Sequence, residues 1–188
     1  MKQFILKVLF FNARVILKLI KFKNTCILQL NKNVIANDLI IGDYCNFSIH
    51  KKVKKVEFGE NVGMRSYCSI YVGRDAYLKI DKGVYINHYT SINCLERIEI
   101  GENTLIGEGV KIYDGNHKYT KGQSVEKNVF SKAPVKIGKN CWLGSNVTIL
   151  KGVTIGDNSI IGAGCLIYKD VPENTIVKLN QDIIAKHI

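Results

Sequence analysis

Between Ile100 and Ile167 the chain repeats a six-residue phrase, interrupted once by a loop that opens on a histidine. The phrases read IGENTL from Ile100, IGEGVK from Ile106 and IYDGNH from Ile112. They resume as IGKNCW from Ile137, LGSNVT from Leu143, ILKGVT from Ile149, IGDNSI from Ile155, IGAGCL from Ile161 and IYKDVP from Ile167. An aliphatic residue opens each hexad, Gly often follows, and a small or β-branched residue often stands fifth. A fixed period of this kind constrains the fold more strongly than any local propensity. Each hexad reads as a short strand plus a corner, with the aliphatic residue pointing inward and Gly, Asn or Asp taking the left-handed backbone that corners need.

Three hexads make one triangular coil, stacked in parallel on the next. Ile137 to Ile155 is 155 − 137 = 18, Ile80 to Ile100 is 20, and Ile100 to Ile137 is 37. The last interval is double a coil, so one long loop is inserted there. Earlier phrases are degenerate: IGDYCN from Ile41, FGENVG from Phe58, MRSYCS from Met64, IDKGVY from Ile80 and INHYTS from Ile86. The fold class expected is an all-β solenoid of hexapeptide repeats, with an N-terminal helical segment and one long inserted loop. Its expected parts are a basic amphipathic segment over 1–32, the solenoid over 33–172, and a C-terminal cap over 173–188 that covers the open end of the stack. Pro172 marks the end of the periodic region. The inserted loop, about 115–133, carries four lysines and little apolar content. A loop that long inside a regular solenoid points to function or disorder.

At 188 residues the chain can bury a core without staples, and its mean hydropathy of +0.02 is that of a folded protein. Six cysteines form no C-x-x-C pair, and Cys45, Cys68, Cys141 and Cys165 occupy the small fifth position of hexad-like phrases. They read as packed free thiols in a reducing cytoplasm. Residues 1–23 lack the uninterrupted apolar stretch and small-residue cleavage site of a signal peptide. The net charge of +11 is spread along the chain without interleaved aromatics, which argues against nucleic acid and fits a polyanionic small ligand or anionic headgroups. In residues 1–23, Ile5, Val8, Leu9, Val15, Ile16 and Leu19 recur near helical spacing among Lys7, Arg14, Lys18 and Lys21. No apolar run approaches the roughly 20 residues that span a bilayer. Two readings stay open: a helix packed on the body or a neighbouring subunit, and a peripheral membrane contact.

Three further words carry a resemblance: DGNH (Asp114 to His117), PVKIGKNCWLGS (Pro134 to Ser145) and IIGAGCLIYKDVP (Ile160 to Pro172). With the repeats, they make the stretch from Ile86 to Pro172 resemble the hexapeptide-repeat acyltransferase superfamily. Its nearest branch holds the maltose, galactoside and nodulation-type O-acetyltransferases and those of capsule and O-antigen. The resemblance implies a left-handed parallel β-helix, a homotrimer with its cleft between adjacent subunits, acetyl-CoA as acyl donor, no metal, and a saccharide hydroxyl as acceptor. The place of the family's Gly-Asn-Pro-Ala-Lys-like tail reads LNQDIIAK here, from Leu179 to Lys186, and the helical N-terminal module of the sugar-acetylating enzymes is missing.

His117 is the expected general base. An alcohol is barely ionised at neutral pH, and an imidazole, with an ordinary pKa of roughly 6.5, can take its proton and hand it to the departing thiolate. Asn87, upstream of it, matches the family asparagine one coil below the base, which orients the acceptor or the imidazole. Asp114 either braces His117 or shapes the turn. The thioester oxyanion needs a preorganised backbone N–H, which the resemblance puts at Gly144 and Ser145, with Trp142 packing beside the cleft. It further implies pantetheine passing Gly162, Ala163 and Gly164, and Lys169 near the coenzyme phosphates, with Lys178 and Lys186 as further cations. Two other classes fit the residues less well. A zinc hydrase on the same helix lacks a third imidazole beside His88 and His117, and a non-catalytic scaffold leaves the DGNH loop unexplained. Transfer to an amino sugar needs the same base and stays open.

Overall fold

The computed structural model describes residues 2–36, 38–120, 122 and 125–179, with backbone alone for 2–10. After a helix over Lys2–Leu30, the chain winds into three parallel sheets that form the faces of a prism. The first holds strands Val34–Ala36, Lys55–Phe58, Tyr77–Ile80, Arg97–Ile100, Val135–Ile137 and Thr154–Ile155. The second runs from Ile40–Ile41 through Gly63–Met64, Tyr85–Ile86, Leu105–Ile106, Trp142–Leu143 and Ile160–Ile161 to Ile176–Val177. The third holds Asn46–Ile49, Ser69–Val72, Ser91–Cys94, Lys111–Tyr113, Thr148–Ile149 and Leu166–Ile167.

The register is the one that the isoleucine spacing dictates. Ile80 pairs with Ile100, Ile100 with Ile137, and Ile137 with Ile155, across the same three intervals that the sequence shows. Early coils are longer: Val34 pairs with Val56 and Val56 with Leu78, intervals of 56 − 34 = 22 and 78 − 56 = 22. Their strands on the first and third sheets reach four residues where the last coils have two, which is why the hexad blurs there. Inward positions stack in aliphatic columns such as Met64, Ile86, Ile106, Leu143 and Ile161, all buried. Cys45, Cys68, Cys141 and Cys165 are buried free thiols at the corners, as the fifth-position pattern requires.

Corners between the first and second sheets use Asn61, Asn103, Asn140, Asn158 and Asn174, all with φ of 53–57°. Asn140 donates to Asn158 at 3.2 Å and Asn158 to Asn174 at 3.1 Å, so the corner residues also form a ladder. Between the second and third sheets the equivalent place is taken by Tyr44, Tyr67 and Tyr89, with φ of 57°, 64° and 59°. Their rings stack at 5.0 and 5.2 Å. A stacked pair is worth about 0.5–1.5 kcal/mol, comparable to the roughly 1–2 kcal/mol that left-handed backbone costs an ordinary residue. Stacking therefore explains why tyrosine is tolerated there.

Pro172 does not end the winding. Val171 bridges Ile155, and Ile176–Val177 pair with Ile160–Ile161. The proline occupies a corner whose carbonyl accepts from Ser159 Oγ at 2.8 Å, and its missing N–H breaks no ladder bond. Residues 180–188, including Lys186 and most of the expected cap, lie outside the described residues.

Candidate functional site

The long insertion begins as an antiparallel hairpin on the corner between the third and first sheets. Gly115–His117 pairs with Phe130–Lys132, placing His117 opposite Phe130. Described residues beyond the strands extend the hairpin, with Lys118 N–H donating to Val129 O at 2.8 Å and Glu126 N–H to Lys118 O at 3.1 Å. This brings Glu126 O to 3.2 Å from His117 Nδ1. A carbonyl oxygen only accepts, so in the neutral ring Nδ1 carries the proton and Nε2 the lone pair. The ring also packs on Phe130, centroids 4.5 Å apart. An exposed imidazole held in one tautomer with Nε2 open is a group that can accept a proton from a hydroxyl.

His117 and Phe130 line a cavity of about 520 Å³ with Tyr71, Asn93, Leu95, Tyr113, Gly115 and Asn116. Tyr71, Asn93 and Tyr113 are register partners on consecutive strands of the third sheet. The wall thus offers one amide between two phenol rings, and no Asp, Glu, Lys or Arg lines the cavity among the described residues, a surface suited to a neutral polyol. Sequence reading missed this platform. Its signal was present as one-coil spacings from Tyr71 to Asn93 (93 − 71 = 22) and from Asn93 to Tyr113 (113 − 93 = 20), which put all three on one outward column.

Asp114 is fully buried and does not reach His117. Its Oδ1 accepts from Leu95 N–H at 2.6 Å, and its Oδ2 accepts from Glu96 and Arg97 N–H at 2.7 Å each. Of the two roles left open, the turn-shaping one is the role these contacts describe: Asp114 fixes the Leu95–Arg97 bend that walls the cavity. Burial, and then the charge of Asp114, push the Cys94 thiol above its ordinary range.

The other expected site residues lie elsewhere. Asn87, Gly144, Ser145, Gly162, Ala163 and Gly164 all belong to the corner between the second and third sheets, at the opposite edge of the third sheet from His117. Crossing that sheet takes four to six residues, roughly 13–20 Å at about 3.3 Å each. One subunit therefore does not join the two sets. Asn87 Oδ1 accepts from His88 N–H at 2.8 Å. Gly144 N–H is committed to Ile161 O at 2.7 Å, because it belongs to the sheet ladder. Ser145 N–H makes no hydrogen bond among the described residues and is an open donor at this corner, as is Ala163 N–H one coil on. A Cβ on Gly144 would stand 2.6 Å from Ala163 N of the next coil, so this glycine is required for coil stacking.

Trp142 stands exposed on the second sheet, in register with Leu105 and Ile160 and away from the His117 cavity. With Ile40 and Ile176 it makes the outer surface of that sheet apolar. The first sheet instead carries ion pairs, Lys55–Glu57 at 2.6 Å and Arg97–Glu99 at 2.7 Å. Lys169 and Lys178 are exposed, and the Lys169 ammonium lies 5.7 Å from the Tyr168 ring centroid. No group of three His, Cys, Asp or Glu side chains able to hold a metal occurs among the described residues.

Residues 134–169 match the family described as bacterial transferase hexapeptide (six repeats). The galactoside O-acetyltransferase of Escherichia coli K12 is 36% identical over 108 residues, covering 57% of this chain and 49% of that protein. A putative lipopolysaccharide biosynthesis O-acetyl transferase of the same strain, WbbJ, is 34% identical over 134 residues, covering 65% and 66%. The chain thus spans about half to two thirds of the length of these relatives. Among solved structures, the N-acyltransferase AntD of Bacillus cereus, in complex with dTDP and 3-hydroxybutyryl-CoA, shares the fold at a TM-score of 0.67 over 81% of each chain, with 15% identity. The chain is a hexapeptide-repeat protein with the left-handed β-helix fold of the hexapeptide acyltransferases.

Proposed function

We propose that the protein transfers an acetyl group from acetyl-CoA to a hydroxyl of a saccharide, a building block of capsule, O-antigen or another surface glycan. The observation that carries this reading is His117, held by Glu126 O in the tautomer that leaves Nε2 basic, at the mouth of a cavity walled by Tyr71, Asn93 and Tyr113. The O-acetyltransferase relatives support the reaction class. In the proposed reaction, Nε2 takes the hydroxyl proton as the oxygen attacks the thioester carbon. Ser145 N–H holds the oxyanion, with Asn87 orienting the acceptor. Collapse of the tetrahedral intermediate breaks the C–S bond, and the imidazolium returns its proton to the coenzyme thiolate.

The separation of His117 from Asn87 and Ser145 across the third sheet supports a homotrimer in which one copy supplies the base and its neighbour the other groups. A heterologous contact of this kind closes into a ring. It also covers the apolar outer surface of the second sheet, which adjoins the Ser145 corner. Gly162, Ala163 and Gly164 would then line the pantetheine path, with Lys169 of a copy near the phosphates. We place the enzyme in the cytoplasm, at the inner face of the membrane. Transfer to an amino sugar is the second reading, favoured by the fold shared with an N-acyltransferase.

Calorimetric titration with acetyl-CoA, followed by a panel of neutral and amino sugars, tests the proposal. Saturable binding at one site per subunit, competed by free CoA, and acetylation of a hydroxyl are expected. Absence of binding at millimolar coenzyme by folded protein would overturn it.

A further inference from the structure

The N-terminal helix, 29 residues long, extends about 43 Å at the usual rise. Among its described side chains, those of the C-terminal part are the ones seated on the solenoid. Asn24 and Leu28 are buried, Asn24 Nδ2 donates to Cys45 O at 2.8 Å, and Lys21 pairs with Asp43 at 2.7 Å. At about 100° per residue, Phe11, Val15, Leu19 and Phe22 fall within an arc of roughly 80°, nearly opposite the side that Asn24 and Leu28 bury. Their exposures are 66%, 39%, 60% and 68%, so a continuous apolar stripe faces away from the solenoid.

The charges beside that stripe identify what covers it. Arg14, Lys18 and Lys21 follow one flank and Lys23 the other, and the first acidic residue of the chain is Asp38. Pairing two such helices from different copies would crowd four cations from each together, and Asp43, the carboxylate that reaches this flank, is already paired with Lys21. An anionic surface accepts the same arrangement favourably, since basic residues flanking an interfacial apolar face are drawn to acidic headgroups. No helix among the described residues is long and apolar enough to cross a membrane.

We propose that Phe11, Val15, Leu19 and Phe22 lay this helix flat in the headgroup region of an anionic phospholipid bilayer, holding the solenoid beside it. The proposal rests on the membrane-side location given above and is independent of acyl transfer, so vesicle binding and acetyl-CoA binding can fail separately.

The test is co-sedimentation of the full chain with vesicles of phosphatidylcholine alone and with phosphatidylglycerol added. Wild type and the double variant Phe11→Ser, Phe22→Ser are compared, with sedimentation velocity on both. Wild type is expected to bind the anionic vesicles at least roughly tenfold more tightly than the neutral ones, and more weakly as salt rises. The variant, which keeps every cation, is expected to lose roughly tenfold or more of that binding with its assembly and acetyl-CoA affinity unchanged. Failure of wild type to bind anionic vesicles, or equal binding by the variant, would overturn the proposal. A variant that falls to smaller species would overturn it too, assigning the stripe to a subunit contact instead.

Discussion

Replacing Asp114 by alanine removes a buried carboxylate that accepts three backbone N–H groups at 2.6–2.7 Å. A hydrogen bond to a charged acceptor contributes about 1.5–3 kcal/mol net, so simple addition would exceed about 4 kcal/mol. Two effects reduce that figure. The wild-type carboxylate is itself desolvated, and Glu96 is exposed, so water can reach at least one freed N–H. We expect a loss of about 3 kcal/mol, a fall of roughly 1–2 M in urea midpoint at fixed protein concentration. Asp114→Asn keeps one acceptor oxygen and turns an amide donor toward the remaining N–H groups, for a loss of about 1–2 kcal/mol. The assay is urea unfolding followed by circular dichroism, together with the pH–rate profile of Asp114→Asn. An aspartate bracing His117 would stabilise the imidazolium, and its neutralisation would move the rising limb to lower pH. Since Asp114 is spent on the bend, the limb is predicted to stay where wild type has it. An unshifted urea midpoint, or a limb displaced toward acid, would refute this reasoning.

Tyr71→Ala or Tyr113→Ala is expected to raise KM for the acceptor roughly two- to tenfold with acetyl-CoA affinity unchanged, in steady-state kinetics with each substrate varied, because one stacking face is worth about 0.5–1.5 kcal/mol. A thiol reagent under native conditions is expected to label Cys26 at most, the other five thiols being buried, and to label all six in denaturant. Burial, and then the Glu57 carboxylate that its hydroxyl meets at 2.8 Å, hold the Tyr77 phenol up at about 12. A raised phenol contributes stability that is complete below the ordinary pKa of about 10 and is lost as pH climbs toward 12. Titration followed by absorbance should find one tyrosine ionising late, and Glu57→Gln should bring it earlier.

The winding was legible because one column of isoleucines reports it. The spacings from Ile80 to Ile100, Ile137 and Ile155 are the register itself. The longer early coils were hidden because lengthening a strand by one inward–outward pair preserves its alternation while breaking the hexad count. The corner tyrosines could not be foreseen, since tyrosine has no intrinsic ease in left-handed backbone and depends on its neighbours one coil away. His117 was legible from the loop it opens. The carbonyl that sets its tautomer was not, because backbone groups have no sequence signature. Gly144 and Ser145 read alike in sequence, and only the ladder bond to Ile161 separates a committed N–H from an open one.

In the proposed reaction His117 is the base of an acetyl transfer. The most direct test of that role is acetyl-CoA-dependent release of coenzyme thiol in the presence of a saccharide acceptor, comparing wild type with His117→Ala. A fall in kcat of about 10²–10⁴-fold is predicted, with acetyl-CoA binding retained. Near wild-type kcat in His117→Ala would contradict a role for His117 as the base.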